Sequence, residues 1–176
     1  MTQQASDRSY SRNDGREAGD TIELRLLASE VDLSRFDLLL SRLCALGVTF
    51  TPLAEEQRSR PEWLSWFCDL DNSTRGADAQ VPRTAEQLRD RLASLEFTPE
   101  SCILGKLGDQ YAGYTYLDPT HSMHGVLLQG WTGVRPEYRR QGLATALKAH
   151  GILLARRLGI RKSPRRRGFE MRRASR

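Results

Sequence analysis

The fold of this chain of 176 residues is decided by the stretch VRPEYRRQGLATALK, residues 134–148. An apolar, strand-like run (GVLLQGWTGV, residues 125–134) leads into it, and a helix with small residues on its first turn follows. The first N–H groups of a helix lack intrahelical partners and lie at its positive dipole end, so a strand, a basic turn and a helix favour anion binding. Gly142 and Ala144 would let a phosphate approach the backbone. The alternative is an ordinary strand–turn–helix with solvated arginines.

The segment RRQGLA, residues 139–144, resembles the Arg/Gln-x-x-Gly-x-Gly/Ala pyrophosphate loop of the GCN5-related N-acetyltransferases (GNAT). The V-x-P lead-in and the start of the following helix resemble that family too. The resemblance implies acetyl-CoA as co-substrate and no metal, and the three histidines and three cysteines show no ligand spacing. The residues that it implies for cofactor binding are Val134, Arg139, Arg140, Gln141, Gly142, Leu143, Ala144 and Thr145.

Periodicity predicts a mixed α+β fold. Ser34 is predicted to cap a helix that Gly47 ends, Thr84 and Gln87 form a capping box, and Gly108-Asp109 suits a two-residue hairpin turn. The predicted strands are residues 21–31, 48–53, 101–107, 110–116 and 125–134, and the predicted helices are residues 34–46, 61–70, 84–96 and 141–158. From residue 48 the order is similar to the GNAT core, β-α-α-β-β-β-α, without the usual C-terminal β-α-β-β portion.

This reading divides the chain into four parts. Residues 1–20 contain hardly any apolar side chains and are predicted to be disordered. Residues 21–47 resemble the strand–helix connector of tandem GNAT proteins, and a simple N-terminal extension is an equal alternative. Residues 48–160 form the GNAT-like domain, incomplete at its end, and residues 161–176 form a basic irregular tail.

The positive charge of the chain is concentrated at one end. Residues 156–176 contain ten basic residues and one acidic residue, whereas the net charge of the whole chain is only +5, so the body is mildly acidic. A functional basic tail would bind nucleic acid or anionic surfaces. We favour the other interpretation, a chain truncated or read out of frame after about Lys162, because the pattern stops in the middle of a fold.

The leading functional hypothesis is an acyl-CoA-dependent N-acyltransferase in which the amine of a small substrate directly attacks the acetyl thioester. The first alternative is an inactive, truncated remnant that at most binds CoA. The second, an Arg-tailed nucleic-acid binder, is disfavoured by the acidic body and by the lack of a recognition motif. The oligomeric state is left open, and a homodimer that completes the sheet is one option.

Composition also bears on location. No apolar run is long enough to cross a bilayer, and the N-terminus lacks an apolar signal core. Cys44, Cys68 and Cys102 lie in apolar contexts, and we interpret them as buried, reduced thiols of a cytoplasmic protein.

The catalytic groups are not identified by the sequence. The resemblance implies a backbone N–H near residues 132–134 as the oxyanion donor. His121 and His124 lie in a loop and are more often solvated than catalytic in such a place, and Asp118 is interpreted as a turn residue. Six aromatic side chains are interpreted mainly as packing: Tyr111, Tyr114, Tyr116, Trp63, Trp66 and Phe67. We expect Tyr114 to face the opposite side of the sheet from Tyr111 and Tyr116.

Overall fold

The computed structural model describes residues 28–75, 81–93, 98–118 and 128–157. These residues form a mixed α+β fold, as predicted, with helices on both faces of one antiparallel sheet. The helices are α1 (Asp37–Ala45), α2 (Leu53–Ser59), α3 (Trp63–Thr74), α4 (Ala85–Leu92) and α5 (Leu143–Arg157). The strands are β1 (Val48–Pro52), β2 (Cys102–Leu107), β3 (Gln110–Asp118) and β4 (Leu128–Val134).

The four strands pair in chain order, β1-β2-β3-β4, and every pairing is antiparallel. The β2–β3 hairpin closes through the predicted Gly108-Asp109 turn, in which Gly108 adopts a φ of +58°. Short two-residue turns of this kind need positive φ, which glycine adopts without a steric cost. The described part of β4 is shorter than the predicted strand, since residues 119–127 lie outside the described residues.

The N-terminal elements differ from the prediction. Ala28–Glu30 is a 3₁₀ turn, so the end of the predicted strand 21–31 is wrong, and its first part lies outside the described residues. Asp32, rather than Ser34, provides the cap: its carboxylate accepts from the Ser34 N–H at 3.0 Å. A carboxylate accepts stronger hydrogen bonds than a hydroxyl does, which favours Asp32 as the cap. The cap also lies earlier than predicted because a 3₁₀ turn, Leu33–Phe36, precedes α1. Gly47, with a φ of +82°, ends the helix as predicted.

In the described part of the chain three helices, not the predicted two, connect β1 to β2. The sequence analysis missed α2, because its residues LAEEQRS contain a single large apolar side chain and show no apolar stripe. The predicted helix with Phe67 and Leu70 on its buried face is confirmed as α3, although it continues to Thr74, into the predicted loop. The capping box of Thr84 and Gln87 is confirmed at the start of α4.

A bulge in β3 changes which side chains share a face. Lys106 pairs with Tyr111 while its neighbour Gly105 pairs with Gly113, so β3 has one extra residue, Ala112, at this point. Tyr111 and Tyr114 therefore both lie in the core cluster on the α3 face, and Tyr116 packs against that cluster. The prediction that Tyr114 faces away from the other two is wrong, because residues 114 and 116 are two apart and the bulge brings Tyr111 to their side.

Each sheet face has its own core. On the α5 face, a small cluster consists of Ile103, Ala112, Val134, Leu143 and Leu147. On the other face, the larger cluster includes Leu53, Phe67, Leu70, Leu88, Leu92, Cys102, Leu104, Tyr111 and Tyr114. The three cysteines are free thiols, but only Cys102 is buried as predicted; Cys68 is half-buried and Cys44 is exposed, because α1 turns it towards solvent.

Candidate functional site

The candidate site is the turn that connects β4 to α5. After Val134 the chain makes a 3₁₀ turn, Pro136–Tyr138, and α5 begins at Leu143. Two residues of the turn have left-handed backbones, Arg140 with a φ of +61° and Gly142 with a φ of +88°. Glycine adopts this region readily and arginine does so only when the surroundings require it, so the turn has a defined shape.

The first turn of α5 presents three backbone donors. The Ala146 N–H donates to the Gly142 carbonyl at 3.0 Å, which is the first i→i−4 bond of this helix. The N–H groups of Leu143, Ala144 and Thr145 precede that bond and therefore have no acceptor inside the helix. Ala144 and Thr145 are exposed, whereas the Leu143 side chain is buried and anchors the turn on the sheet. The arrangement suits an anion at the positive end of the helix dipole.

The basic and amide side chains of this stretch have structural contacts. Arg139 donates from Nε to the Val134 carbonyl at 3.0 Å, across the turn. Arg135 donates from Nε to the Tyr111 carbonyl at 2.8 Å and from Nη2 to Asp69 at 3.1 Å, so it joins β4 to β3 and α3. Gln141 donates to the Glu137 carbonyl at 3.3 Å. The side chains of Arg135 and Gln141 thus shape the turn, and the exposed guanidinium ends of Arg139 and Arg140 remain the candidates for phosphate contact.

The end of β4 adds further backbone donors. The Arg135 N–H donates to the Ala112 carbonyl of β3 at 2.9 Å. Because successive residues of a strand point their N–H groups to opposite edges, those of Val134 and Thr132 point away from β3. The Val134 carbonyl, which shares that direction, accepts from Arg139. Among the described residues β4 is an edge strand, and Val134 lines the same pocket as the first turn of α5.

Val134 and the first turn of α5 border a shallow, half-open pocket of about 220 Å³. Its lining contains seven of the eight residues predicted for cofactor binding, all except Gln141, together with Tyr138: Val134, Tyr138, Arg139, Arg140, Gly142, Leu143, Ala144 and Thr145. The sequence analysis missed Tyr138, whose hydroxyl donates to Gln110 at 2.6 Å. Its position inside the turn, between Pro136 and Arg140, was the signal that could have identified it.

Two buried carboxylates with hydrogen-bonded partners lie on the other face of the sheet. Glu56 is buried and accepts from Lys106 at 2.5 Å and from the Tyr111 hydroxyl at 2.8 Å. Asp71 is buried and accepts from the Tyr114 hydroxyl at 2.5 Å and from Arg83 at 2.7 Å.

These surroundings keep both tyrosines protonated. Burial, reinforced by the adjacent carboxylate, raises the pKa of Tyr111 and that of Tyr114 above the ordinary value. The two tyrosines are hydrogen-bond donors to neighbouring helices, which supports the packing interpretation of the sequence analysis.

Other candidate groups do not join the pocket. His121 and His124 lie outside the described residues, and Asp118 is the last residue of β3 rather than a turn residue. His150 of α5 stacks on Phe50 with ring centroids 4.2 Å apart, and burial, followed by the charge of Arg157, lowers its pKa. In the described part of the chain no group of His, Cys, Asp and Glu is arranged to hold a metal, and no helix there is long and apolar enough to span a membrane.

The fold is similar to that of a solved acetyltransferase structure. A GCN5-related N-acetyltransferase from Sphaerobacter thermophilus superposes with a TM-score of 0.52 at 22% identity, over 65% of this chain and 34% of that one. The ribosomal-protein-S18-alanine N-acetyltransferase from Escherichia coli gives a TM-score of 0.46 at 15% identity, over 64% of this chain and 62% of that one. The chain thus spans less than two thirds of the length of either structure. A comparison with curated proteins finds no match.

The comparison with protein families is decisive. Residues 61–163 match the acetyltransferase (GNAT) family, and this segment contains α3, α4, β2, β3, β4, the β4–α5 turn and α5. The match covers more than half of the 176 residues. The chain therefore belongs to the GNAT family of N-acetyltransferases, enzymes that use acetyl-CoA.

Proposed function

We propose that this chain binds acetyl-CoA at the β4–α5 turn and promotes transfer of the acetyl group to the amine of a small substrate. The observation that carries the proposal is the pocket at the first turn of α5, where three backbone N–H groups without intrahelical acceptors adjoin a turn shaped by Arg140 and Gly142. Family membership supplies the ligand that such a pocket would take.

The pyrophosphate of the cofactor would be bound by the N–H groups of Leu143, Ala144 and Thr145. Backbone donors at a helix N-terminus bind anions without loss of side-chain entropy, and the dipole adds to the attraction. The guanidinium groups of Arg139 and Arg140 would supply charge-assisted hydrogen bonds to the same phosphates. These groups hold the cofactor but carry out no bond-breaking step.

The outward N–H groups of Thr132 and Val134 would act on the thioester. Acetyl-CoA supplies an acetyl thioester: the amine nitrogen would form a bond to the acetyl carbon, the carbon–sulfur bond would break to release the thiolate of coenzyme A, and the proton lost by the amine would pass through solvent to that sulfur. A backbone N–H fixed on a strand can donate to the thioester oxygen as negative charge develops there. Because Thr132 is held by a hydroxyl–hydroxyl contact of 2.8 Å with Thr115, this part of β4 is preorganised for that task.

A second candidate function is coenzyme A binding without transfer. It is favoured by one observation: the described lining of the pocket contains no carboxylate and no imidazole, so no general base is in place there. The two candidates share the binding step and differ only in turnover.

Calorimetric titration of the chain with coenzyme A tests the binding step. Gly142→Glu should abolish binding, because its strained backbone and the clash of its Cβ with Leu39 would displace the turn, and its negative charge would repel the phosphates. Gly108→Glu is the matched control, since Gly108 also has a positive φ but a Cβ there would meet nothing within 4 Å and the hairpin turn is not part of the pocket. Binding unaffected by Gly142→Glu would contradict the proposed site.

Turnover is tested separately, by measuring thiol release from acetyl-CoA with a panel of primary amines. Amine-dependent release that Gly142→Glu abolishes and Gly108→Glu retains would support N-acetyl transfer. Binding without release, across the panel, would support the second candidate.

A further inference from the structure

Residues that precede the family match contact α5 at both of its ends. Near the C-terminal end, Arg156 donates from Nε to the Ala28 carbonyl at 2.8 Å and from Nη2 to the Val31 carbonyl. At the N-terminal end, Leu39 of α1 lies against Gly142 of the anion-binding turn. The segment 28–46 is thus fixed along the helix whose first turn lines the pocket, although the match to the family begins only at residue 61.

The contact between Leu39 and Gly142 is close. A Cβ atom added to Gly142 would lie 2.5 Å from Leu39 Cδ1, a separation that real side chains do not show. A side chain at position 142 would therefore displace the end of the Leu39 side chain. Glycine is favoured at position 142 for two reasons, its left-handed backbone with a φ of +88° and this contact with α1.

A glycine with positive φ is also the point at which a turn has most conformational freedom. The Leu39 side chain, packed against the Cα of Gly142, removes part of this conformational freedom, because alternative backbone angles would move Gly142 into Leu39. The direction of the N–H groups of residues 143–145 depends on the same backbone angles. Packing by Leu39 thus acts on the donors without contact with the bound anion, and Leu39 is not part of the described pocket lining.

We propose that α1 is a positioning element of the coenzyme A site, and that Leu39 acts by holding the Gly142 turn in its anion-binding conformation. This inference rests on the proposed function of the turn. It extends the site beyond the family segment, to a helix that the sequence analysis assigned to a connector or an extension. The binding surface and the element that shapes it come from different parts of the chain.

Coenzyme A affinity of Leu39→Ala, compared with Leu38→Ala, tests the proposal. Leu38 is the neighbouring residue on α1 and its side chain is 85% exposed, so the control removes the same atoms from the same helix without touching the turn. Leu39→Ala should weaken binding by at least about threefold, because a smaller fraction of molecules holds the competent turn. Leu38→Ala should bind as the unaltered chain does. Equal affinity of both variants would overturn the proposal.

Leu39→Val guards against a simple loss of folding, because it shortens the side chain and keeps a branched apolar residue in place. Thermal unfolding in the absence of ligand shows whether each variant is folded at the titration temperature. A folded Leu39→Val with weakened binding supports the proposal, and one with unchanged binding counts against it. If the unaltered chain does not bind coenzyme A, the proposed function itself fails. If the unaltered chain and the Leu39 variant bind equally well, only the proposed role of Leu39 fails.

A double-mutant cycle with Gly142→Ala provides a readout that a general structural role would not move. In the unaltered background the new Cβ meets Leu39 Cδ1, whereas in Leu39→Ala that atom is gone and only the backbone strain remains. The loss of affinity caused by Gly142→Ala should therefore be smaller in the Leu39→Ala background, by about threefold or more. Equal losses in both backgrounds would show that the two residues act independently and would overturn the proposal.

Discussion

The two faces of the sheet are filled with different chemistry. On the face that carries the candidate site, α5 packs on an aliphatic cluster that includes Ala112, Leu143 and Leu147. On the opposite face, the helices bury two carboxylates, Glu56 and Asp71, and each accepts a hydrogen bond from a tyrosine of β3. The contact of α5 with the sheet thus relies on non-directional packing, since the hydrogen bonds of Thr115 with Thr132 and Gln129 lie within the sheet, whereas helices of the other face are joined to β3 by directional hydrogen bonds.

The difference shows where the precision of the site has to come from. Hydrogen bonds to Asp71 permit one relative position of α3 and β3, because a shifted carboxylate would leave buried partners unpaired. Aliphatic packing alone tolerates small shifts of α5 along the sheet. The position of its first turn therefore depends on the contacts of the turn itself, such as the bond from Arg139 to the Val134 carbonyl and the contact of Gly142 with Leu39.

The largest effect is expected when a carboxylate of the polar face is replaced. Asp71→Leu leaves the Tyr114 hydroxyl and Arg83 without their buried acceptor, and should lower the free energy of unfolding by about 3 kcal/mol in urea denaturation. Asp69→Leu is the control on the same helix, because the Asp69 side chain is 77% exposed and its ion pair with Arg135 lies at the surface. Its effect should be within about 0.5 kcal/mol. Equal effects of the two changes would refute the contrast between the faces.

A smaller loss is expected from Tyr114→Phe, which keeps the ring and its edge-on contact with Phe67 but removes the hydrogen bond to Asp71. Since Arg83 still pairs with Asp71, the expected cost is about 1.5 kcal/mol. Tyr138→Phe removes a hydroxyl that bonds Gln110 at the surface, and it should cost less. The same denaturation measurement checks both variants, and a neutral Tyr114→Phe would mean that the buried bond adds nothing to stability.

The aliphatic face should tolerate a change of shape at constant volume. Leu147→Met replaces a fully buried side chain with one of similar size, and should cost less than about 1 kcal/mol. A loss as large as that of Asp71→Leu would show that this face is as specific as the other. Coenzyme A affinity of the same variant would then show whether the turn keeps its geometry.

The smallest effect is a pH dependence confined to the α5 face. Burial, followed by the charge of Arg157, lowers the pKa of His150 below its ordinary 6.5, so the folded chain favours the neutral ring. The stabilisation that this group contributes is complete above its unfolded pKa and declines as the pH falls through the folded value. His150→Phe keeps the stacking on Phe50 and should lose less stability than the unaltered chain between pH 7 and pH 5. Thermal unfolding of both proteins at pH 7 and pH 5 checks this prediction. An equal loss of stability in His150→Phe and in the unaltered chain would contradict it.

Local signals explain the parts of the fold that the sequence predicted. The capping box of Thr84 and Gln87 and the hairpin turn at Gly108 are short-range patterns, and the structure confirms both. By contrast, α2 has no apolar periodicity and the extra residue Ala112 does not alter composition, so neither the helix nor the bulge was visible. The bulge also hid that Tyr111 shares a sheet face with Tyr114, whereas the two-residue spacing that places Tyr114 and Tyr116 on one face was present in the sequence.

The candidate site was predictable only in its contiguous part. The turn residues occur together in a family pattern, and all but Gln141 line the pocket. Leu39 and Gly142 are far apart in the sequence, and nothing in the composition of α1 signals their contact. The buried positions of Glu56 and Asp71 were equally hidden, because an acidic residue on a helix is usually solvated.

The most direct measurement of the central claim is a titration of ¹⁵N-alanine-labelled protein with coenzyme A, followed by amide NMR. The account predicts a saturable shift of the Ala144 amide at the first turn of α5, with the amides of Ala155 at its last turn and Ala85 on α4 unchanged. Ala85 lines a separate cleft with Trp66 and Asn72, so its signal reports on a competing location. Saturable binding that shifts Ala85 and leaves Ala144 unchanged would contradict the assignment of the coenzyme A site to the β4–α5 turn.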